Sequence, residues 1–504
     1  MGEEEKLPID SEEHGKEDGG GQRRSWGCIS ARPVDWFRML ARKTHWSFVF
    51  GVVVVYGISQ GLGGAFARVG TEYYMKDVQK VEPSEAQVYT GITTIPWLVK
   101  PLWGLLTDVV PILGYHRRPY FIFAGAIGIV SMLFLSLHTN LHIVFALLSL
   151  TAGSAGVAIA DVTVDACVAQ NSGAHPSLAP DMQSLCALSA SIGSLVGFSL
   201  SGISVHVLGP KGVYGLLAIP FGLVFLVGIL LKEPDLHNSP SHQVSQKFGS
   251  AAKAMWKTLK CPAVWRPCVY MYLSLALSFD ISEGMFYWMT DAEGGPRFSK
   301  ESIGYISAIG SIGSLLGAIL YQYGLKDHPF RGLLFWTQLL YGLSGMLDLV
   351  LILRLNLRFG IPDYFFVVID SGISQMIGRL KWMPLLVLTA KLCPPGIEGT
   401  IFALLMSIDN TGLLTSSWGG GILLHVLKIT RTRFEKLWLA LLIRNVLRVT
   451  PLFLLFLVPG SDPNSILLPS EGLVSTRVTH ESPDSTQNEN IELVSLVDSM
   501  DSAR

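Results

Sequence analysis

Long apolar blocks, separated by short polar breaks, run from about residue 45 to residue 459. A helix crossing a bilayer core needs about 20 predominantly apolar residues. The blocks predict twelve such helices, at 46–67, 87–107, 119–138, 141–169, 183–207, 213–231, 264–289, 302–323, 331–354, 361–391, 397–425 and 437–458. Residues 1–44 and 460–504 are polar, bury little apolar surface and are expected to be disordered tails.

The longest internal loop, 232–262, divides the blocks six and six. The pattern predicts an all-α integral membrane protein with two six-helix halves, 45–231 and 263–459, joined by a cytoplasmic loop. That is the layout of the major facilitator fold, which is built from repeats. GSLVG at 193–197 echoes GSLLG at 313–317. Small residues on such faces let helices approach closely, so packing alone can produce the echo.

Composition agrees. Of 504 residues, 49% are hydrophobic and only 15% charged, against about 25% charged in soluble domains. The net charge of −1 gives no reason to expect a nucleic-acid partner. The cysteines (Cys28, Cys167, Cys186, Cys261, Cys268, Cys393) lack paired metal-type spacing, so neither a metal nor a disulfide framework is expected. The acidic start, MGEEEKLPIDSEEHGKED, has no apolar signal core and is not a transit peptide in character. Arg32, Arg38, Arg42 and Lys43 precede the first block, Arg117 and Arg118 follow the second, and Lys247, Lys253, Lys257 and Lys260 lie in the central loop. The positive-inside rule then places both termini in the cytoplasm, although Lys428, Arg431, Arg433 and Lys436 in the last loop run against it.

A charge at mid-bilayer depth costs about 2.5–3.5 kcal/mol, so each one needs a reason. Asp161 and Asp165 lie four apart on one face of the fourth block. Two close carboxylates resist joint ionisation, so one can hold a proton, as a proton-coupled carrier requires. The seventh block carries Asp280 and Glu283. The tenth carries Asp370, Arg379 and Lys381, with Asp370, Ser374 and Lys381 on one stripe. In a major facilitator fold blocks 1, 4, 7 and 10 line the cavity, and three of these four hold the densest charge. The competing explanation is a set of buried ion pairs that only fixes helix registry. Lys100, Asp108 and Asp409 fit the pattern less well, and Arg444 and Arg448 would face a partner carboxylate or lipid.

The stretch KPLWGLLTDVVPILGYHRRPY at 100–120 resembles the loop between the second and third helices of major facilitator carriers. Gly104, Asp108, Arg117 and Arg118 take the places of a conformational latch in which carboxylate and arginines pair across helix ends. In detail this stretch is similar to the folate-biopterin transporter family. So are ADVTVDACV (160–168), FDISEGMFYWMTDAEG (279–294) and MPLLVLTAKLCPPGIEGTIFALLMSIDNTG (383–412). The resemblance covers 45–460 and implies a secondary carrier of folates or pterins, proton-linked, of the kind found in plants. It transfers functional roles to Asp108, Arg117, Arg118, Asp161, Asp165 and Asp280.

On that basis a carboxylate is expected to accept the N–H edge of a pterin. Phe286, Tyr287 and Trp288 would stack on the ring, with interfacial anchoring the competing role for Trp288. Arg379 and Lys381 would meet the anionic tail, and the Asp161/Asp165 pair would take up protons. A major facilitator carrier of another small organic solute and a non-transporting sensor of the same fold stay open as alternatives. An enzyme is not expected: GISQG at 57–61 matches a nucleophile elbow only formally, inside an apolar block. There is no phosphate-binding loop, selectivity-filter loop or metal-type histidine pair, and no cofactor is expected.

Overall fold

The computed structural model describes residues 33–233, 249, 253, 256, 258–326, 328–391 and 398–459. The expected tails at 1–32 and 460–504, most of the central loop and the CPPG stretch lie outside the described residues. The architecture is all-helical: α1 (Pro33–Thr44), α2 (Trp46–Val78), α3 (Pro83–Thr93), α4 (Lys100–Val109), α5 (Arg118–Leu137), α6 (Ile143–Ala174) and α7 (Ala179–Leu230) precede the central loop. After it come α8 (Pro262–Ala276), α9 (Ser282–Asp291), α10 (Lys300–Leu320), α11 (Phe330–Ile352), α12 (Asp363–Lys391), α13 (Glu398–Val426) and α14 (Leu437–Val449).

Among the described residues, seven helical stretches are long and apolar enough to cross a membrane. The expected fifth and sixth spans form one such stretch, which turns at Gly209 (φ 71°) before Pro210. Only a residue without a Cβ adopts that backbone freely. The expected second span breaks between α3 and α4, and the seventh breaks between α8 and α9, at 277–281. α12 and α13 are each unbroken over 29 residues but carry buried charges, Asp370, Lys381 and Asp409 among them.

Two departures from the expected boundaries matter. Residues 33–44, expected in a disordered tail, form α1, because Leu40 is fully buried and Trp36 Nε1 donates to Asp181 Oδ1 at 2.8 Å. The first span continues past residue 67 to Val78, and this places Arg68 and Glu72 within a helix. Over Val53–Gly63 that helix is wound wide, with π-type hydrogen bonding, a feature that often marks functional positions.

Glycines set the closest helix approaches. A Cβ on Gly193 would stand 2.0 Å from the carbonyl oxygen of Gly57, and one on Gly313 would stand 2.1 Å from that of Gly372. The echoing GSLVG and GSLLG segments thus pack α7 on α2 and α10 on α12. Between the halves α7 meets α10 and α3 meets α13. A Cβ on Gly202 would lie 2.2 Å from the carbonyl oxygen of Lys300, so the two halves touch backbone to backbone there.

Ion pairs cluster at that same end. Lys76 Nζ lies 2.8 Å from Asp291 Oδ1, Lys300 Nζ 3.8 Å from Asp77, and His206 Nδ1 2.9 Å from Glu301. Arg431 donates its backbone N–H to Glu82 Oε2 at 3.0 Å. Among the described residues, every ion pair between the halves lies at this end, and Lys76 is buried.

The break at 277–281 is seated on α13, where a Cβ on Gly420 would fall 1.6 Å from the carbonyl oxygen of Asp280. Gly420→Ala is expected to destabilise the protein by about 1–3 kcal/mol through forced overpacking, lowering the apparent Tm in detergent. Gly222→Ala, which meets nothing within 4 Å, should leave the melting curve in place.

Candidate functional site: a charged cavity at a broken helix

A helix interrupted inside the packed protein must satisfy its freed backbone groups with protein partners. At the break after α8, Asp280 donates its N–H to the carbonyl oxygen of Ser416 at 3.1 Å. Its Oδ1 accepts the N–H of Ser282 at 3.0 Å, which starts α9. Gln87, fully buried on α3, joins the halves here. Its Nε2 donates to Asp280 Oδ2 and to Ser417 Oγ, both at 3.1 Å, and its Oε1 accepts the N–H of Glu283 at 3.1 Å. Thr90 Oγ1, one turn on, donates to Glu283 Oε1 at 3.2 Å, while Glu283 Oε2 is buried with no hydrogen-bond partner.

Asp280 and Glu283 form part of the wall of a cavity of about 610 Å³. That volume lies within the ordinary range of ligand sites. Arg68 and Glu72 of α2 face it too, with Arg68 Nε 3.4 Å from Glu72 Oε1. Three carboxylates and one guanidinium therefore share the lining, and Trp97, Tyr214 and Phe221 add aromatic surface. An acidic wall beside flat apolar faces suits a planar ligand rich in N–H donors.

Asp161 and Asp165 lie outside the lining of this cavity but are linked to it. Lys100 Nζ sits 2.5 Å from Asp161 Oδ2 and 3.3 Å from Asp165 Oδ2. Tyr56 donates to Asp165, and Gln60, itself on the cavity wall, donates to Asp161 Oδ1 at 2.7 Å. The wide winding of α2 carries both Tyr56 and Gln60. The pair expected to share a proton thus also shares a lysine, which offsets their mutual repulsion.

Other expected site residues fall elsewhere. Asp370 Oδ1 accepts from Ser374 at 2.9 Å, as one stripe requires. Lys381 instead donates to the carbonyl oxygen of Ser274 at 3.1 Å and lies 4.4 Å from the Tyr341 ring centre, lining neither described cavity. Arg379 lines a second cavity and stacks on Trp382 at 4.9 Å. Phe286, Tyr287 and Trp288 are core residues: Phe286 meets Tyr73 edge-on at 5.0 Å, and Tyr287 donates to the carbonyl oxygen of Val81. Arg444 has a partner in Asp348, at 2.6 Å, and Arg448 lies over Tyr341 at 4.3 Å.

The residues expected to form a latch meet at the ends of α4 and α5. Arg117 Nη2 lies 2.6 Å from Asp108 Oδ1, and Nη1 donates to Thr107 at 2.9 Å. Arg118 donates to the carbonyl oxygens of Gly228 and Ile229 at the end of α7. Glu233 accepts the backbone N–H groups of His116, Arg117 and Arg118 at 2.8–3.1 Å. Gly104 packs against Val162, where a Cβ would stand 3.4 Å away.

Sequence reasoning missed Arg68, Glu72, Gln87, Lys100, Gln60, Tyr56 and Glu233. Arg68 and Glu72, four apart, carried a usable signal that was hidden by ending the first span too early. Lys100 was visible as an intramembrane charge without a partner. Gln87 gives no signal in composition or spacing.

Known proteins with similar sequences and folds agree with this architecture. A protein of Arabidopsis thaliana named probable folate-biopterin transporter 2 is 64% identical over 469 residues, covering 93% of this chain and 94% of its own. The folate-biopterin transporter of Synechocystis is 31% identical over 436 residues, 84% of each chain. Among solved structures, the nucleoside transporter NupG aligns with a TM-score of 0.57 at 14% identity, covering 84% of this chain and 99% of its own. A D-xylose-proton symporter aligns with a TM-score of 0.55 at 13% identity, covering 85% and 98%. These two likenesses speak to the fold alone, which is that of the major facilitator carriers. The profile of the BT1 family matches residues 60–470, and the chain belongs to that family.

Proposed function

We propose that this chain is a proton-coupled secondary carrier of folates or related pterins, working by alternating access around the cavity at the broken helix. The reading counts twelve passes, taking the two broken spans, the two halves of α7 and the polar helices α12 and α13 as crossings. It places both termini in the cytoplasm, on the Lys and Arg bias of the early loops. The end closed by Lys76–Asp291 and its neighbours is then the outer one, so the structure is closed outward.

The observation that carries the reading is the placement of Asp280 and Glu283 on a cavity wall that also presents Trp97, Tyr214 and Phe221. A pterin offers its 2-amino and N3 hydrogens along one edge and a flat ring on either side. A carboxylate accepts both hydrogens, and the aromatic side chains bound the ring. The names of the BT1-family relatives support the same substrate class.

Coupling is assigned to Lys100, Asp161 and Asp165. With both acids ionised, the lysine is held by two carboxylates and the trio carries one net negative charge. A proton on either acid neutralises the trio and weakens its hold on Lys100. Gln60 touches both Asp161 and the cavity, so occupancy and protonation act on one side chain. The latch of Gly104, Asp108, Arg117 and Arg118 lies wholly within the first half. Its role is to keep the ends of α4 and α5 fixed together as the halves rock.

In reconstituted vesicles, Asp161→Asn and Asp165→Asn should each lower proton-driven uptake by about tenfold, a loss of about 1.4 kcal/mol, while exchange of labelled for unlabelled substrate persists. Driven uptake at the wild-type rate in both variants would sink the coupling assignment. Glu283→Gln removes the charge that strengthens a donor–carboxylate bond, worth about 1.5–3 kcal/mol. Biopterin binding to the purified variant should weaken by at least about tenfold, and an unchanged affinity would remove Glu283 from the site.

A further inference from the structure

A second cavity, of about 450 Å³, lies between the halves and has the opposite electrostatic character. Its wall is formed by α7 on one side and by α10 and α12 on the other. No carboxylate occurs among its described lining residues, while two guanidiniums do, Arg68 and Arg379. Serines from both halves complete it, Ser191 and Ser194 opposite Ser311 and Ser314. Ser194 and Ser314 belong to the two echoing GS segments. In each segment the glycine packs against a helix of its own half, and the serine is left to the cavity.

The charge here is uncompensated. Arg379 has no carboxylate within 4.0 Å among the described residues; its guanidinium rests on the Trp382 ring, which offsets part of the cost of burial. Even a half-buried arginine without a counter-ion carries a cost at membrane depth, and an incoming anion would supply what is missing. Guanidinium groups bind carboxylates through paired N–H donors, and serine hydroxyls donate to the oxygens that remain.

Arg68 lines both cavities. On one side its Nε is held by Glu72, and the rest of its fork is available to the other.

We propose that the second cavity is a subsite for the carboxylates of an anionic, glutamate-type tail, held by Arg379, Arg68 and the facing serines, while the acidic cavity takes the ring. This rests on the pterin reading given above and extends it: the protein grips one substrate across both halves, with Arg68 at the junction. Arg379, Ser311 and Ser314 belong to the second half and Arg68, Ser191 and Ser194 to the first. A tail bound there therefore ties the halves together on the side away from the Lys76–Asp291 pair.

The test is equilibrium binding of folate and of biopterin, which has no glutamate tail, to the purified full-length protein. Wild type should prefer folate. Arg379→Gln should reduce the ratio of folate to biopterin affinity by at least about tenfold, and Arg379→Lys, which keeps the charge, should retain part of it. Ser314→Asp adds an anion to the cavity and should reduce the ratio in the same way, so the outcome does not rest on one variant folding. Inorganic phosphate that competes with folate as strongly as free glutamate does would overturn the assignment to a dicarboxylate tail. A ratio unchanged in both folded variants overturns the subsite alone. Wild-type protein that binds neither ligand overturns the pterin reading and the subsite with it.

Discussion

The interruption at Asp280 of the helical run from Pro262 to Asp291 is the constraint on which the other features depend. Backbone groups freed by a break inside the packed protein must find partners in neighbouring helices. They find them in Ser416, which accepts the Asp280 N–H and whose hydroxyl donates to the Ser278 carbonyl oxygen, and in Gln87, whose Oε1 accepts the Glu283 N–H. Those partners require α13 to approach within contact of the break, and the glycines at 419–421 permit it. Gln87 comes from the other half of the molecule. The same hydrogen bonds that make the break tolerable therefore also join the halves and fix the position of two carboxylates on the cavity wall.

Buried charge follows a similar economy in the first half. Asp161 is buried, and Lys100 lies against both it and Asp165. A fully satisfied buried ion pair contributes little net stability, but removing one member leaves an unpaired charge at high cost. A trio with two acids and one base is a different case, because a proton can substitute for part of the lysine's role. On the coupling proposed above, the arrangement would have two states, distinguished by where Lys100 is held. A simple pair would lack that property.

Much of this was legible in the sequence, for reasons that can be named. Acids in a lipid-crossing block are costly enough to stand out, so Asp161, Asp165, Asp280 and Glu283 were found by type and position. The glycine echo was legible as packing, but its serines were not, because a serine's exposure depends on which neighbour the adjacent glycine meets. Arg68 and Glu72 were lost to a boundary drawn where apolar residues thin out; the helix continues because the polar pair lies against a cavity and not against lipid. The direction of Phe286, Tyr287 and Trp288 was also beyond the sequence. Three successive residues on a helix point to three different sides, and here all three sides are protein.

The distribution of the polar contacts also separates what moves from what does not. Glu233 gathers three backbone N–H groups at the start of α5, and Arg118 caps carbonyls at the end of α7. Both contacts satisfy groups that a helix end leaves open, and both stay inside the first half, as does Arg117–Asp108. Contacts of that kind can persist while the halves rock. The contacts that cross between halves are of two sorts: His206–Glu301 and Lys300–Asp77 are partly exposed, and such pairs contribute about 0–1 kcal/mol each, whereas Lys76 and Gln87 make theirs from buried positions. Weak contacts belong where a cycle must break and remake them. The helix-capping bonds thus stay within a half, and a cycle of the proposed kind would have to break both the weak exposed pairs and the buried Lys76 and Gln87 contacts, so the buried ones set its cost.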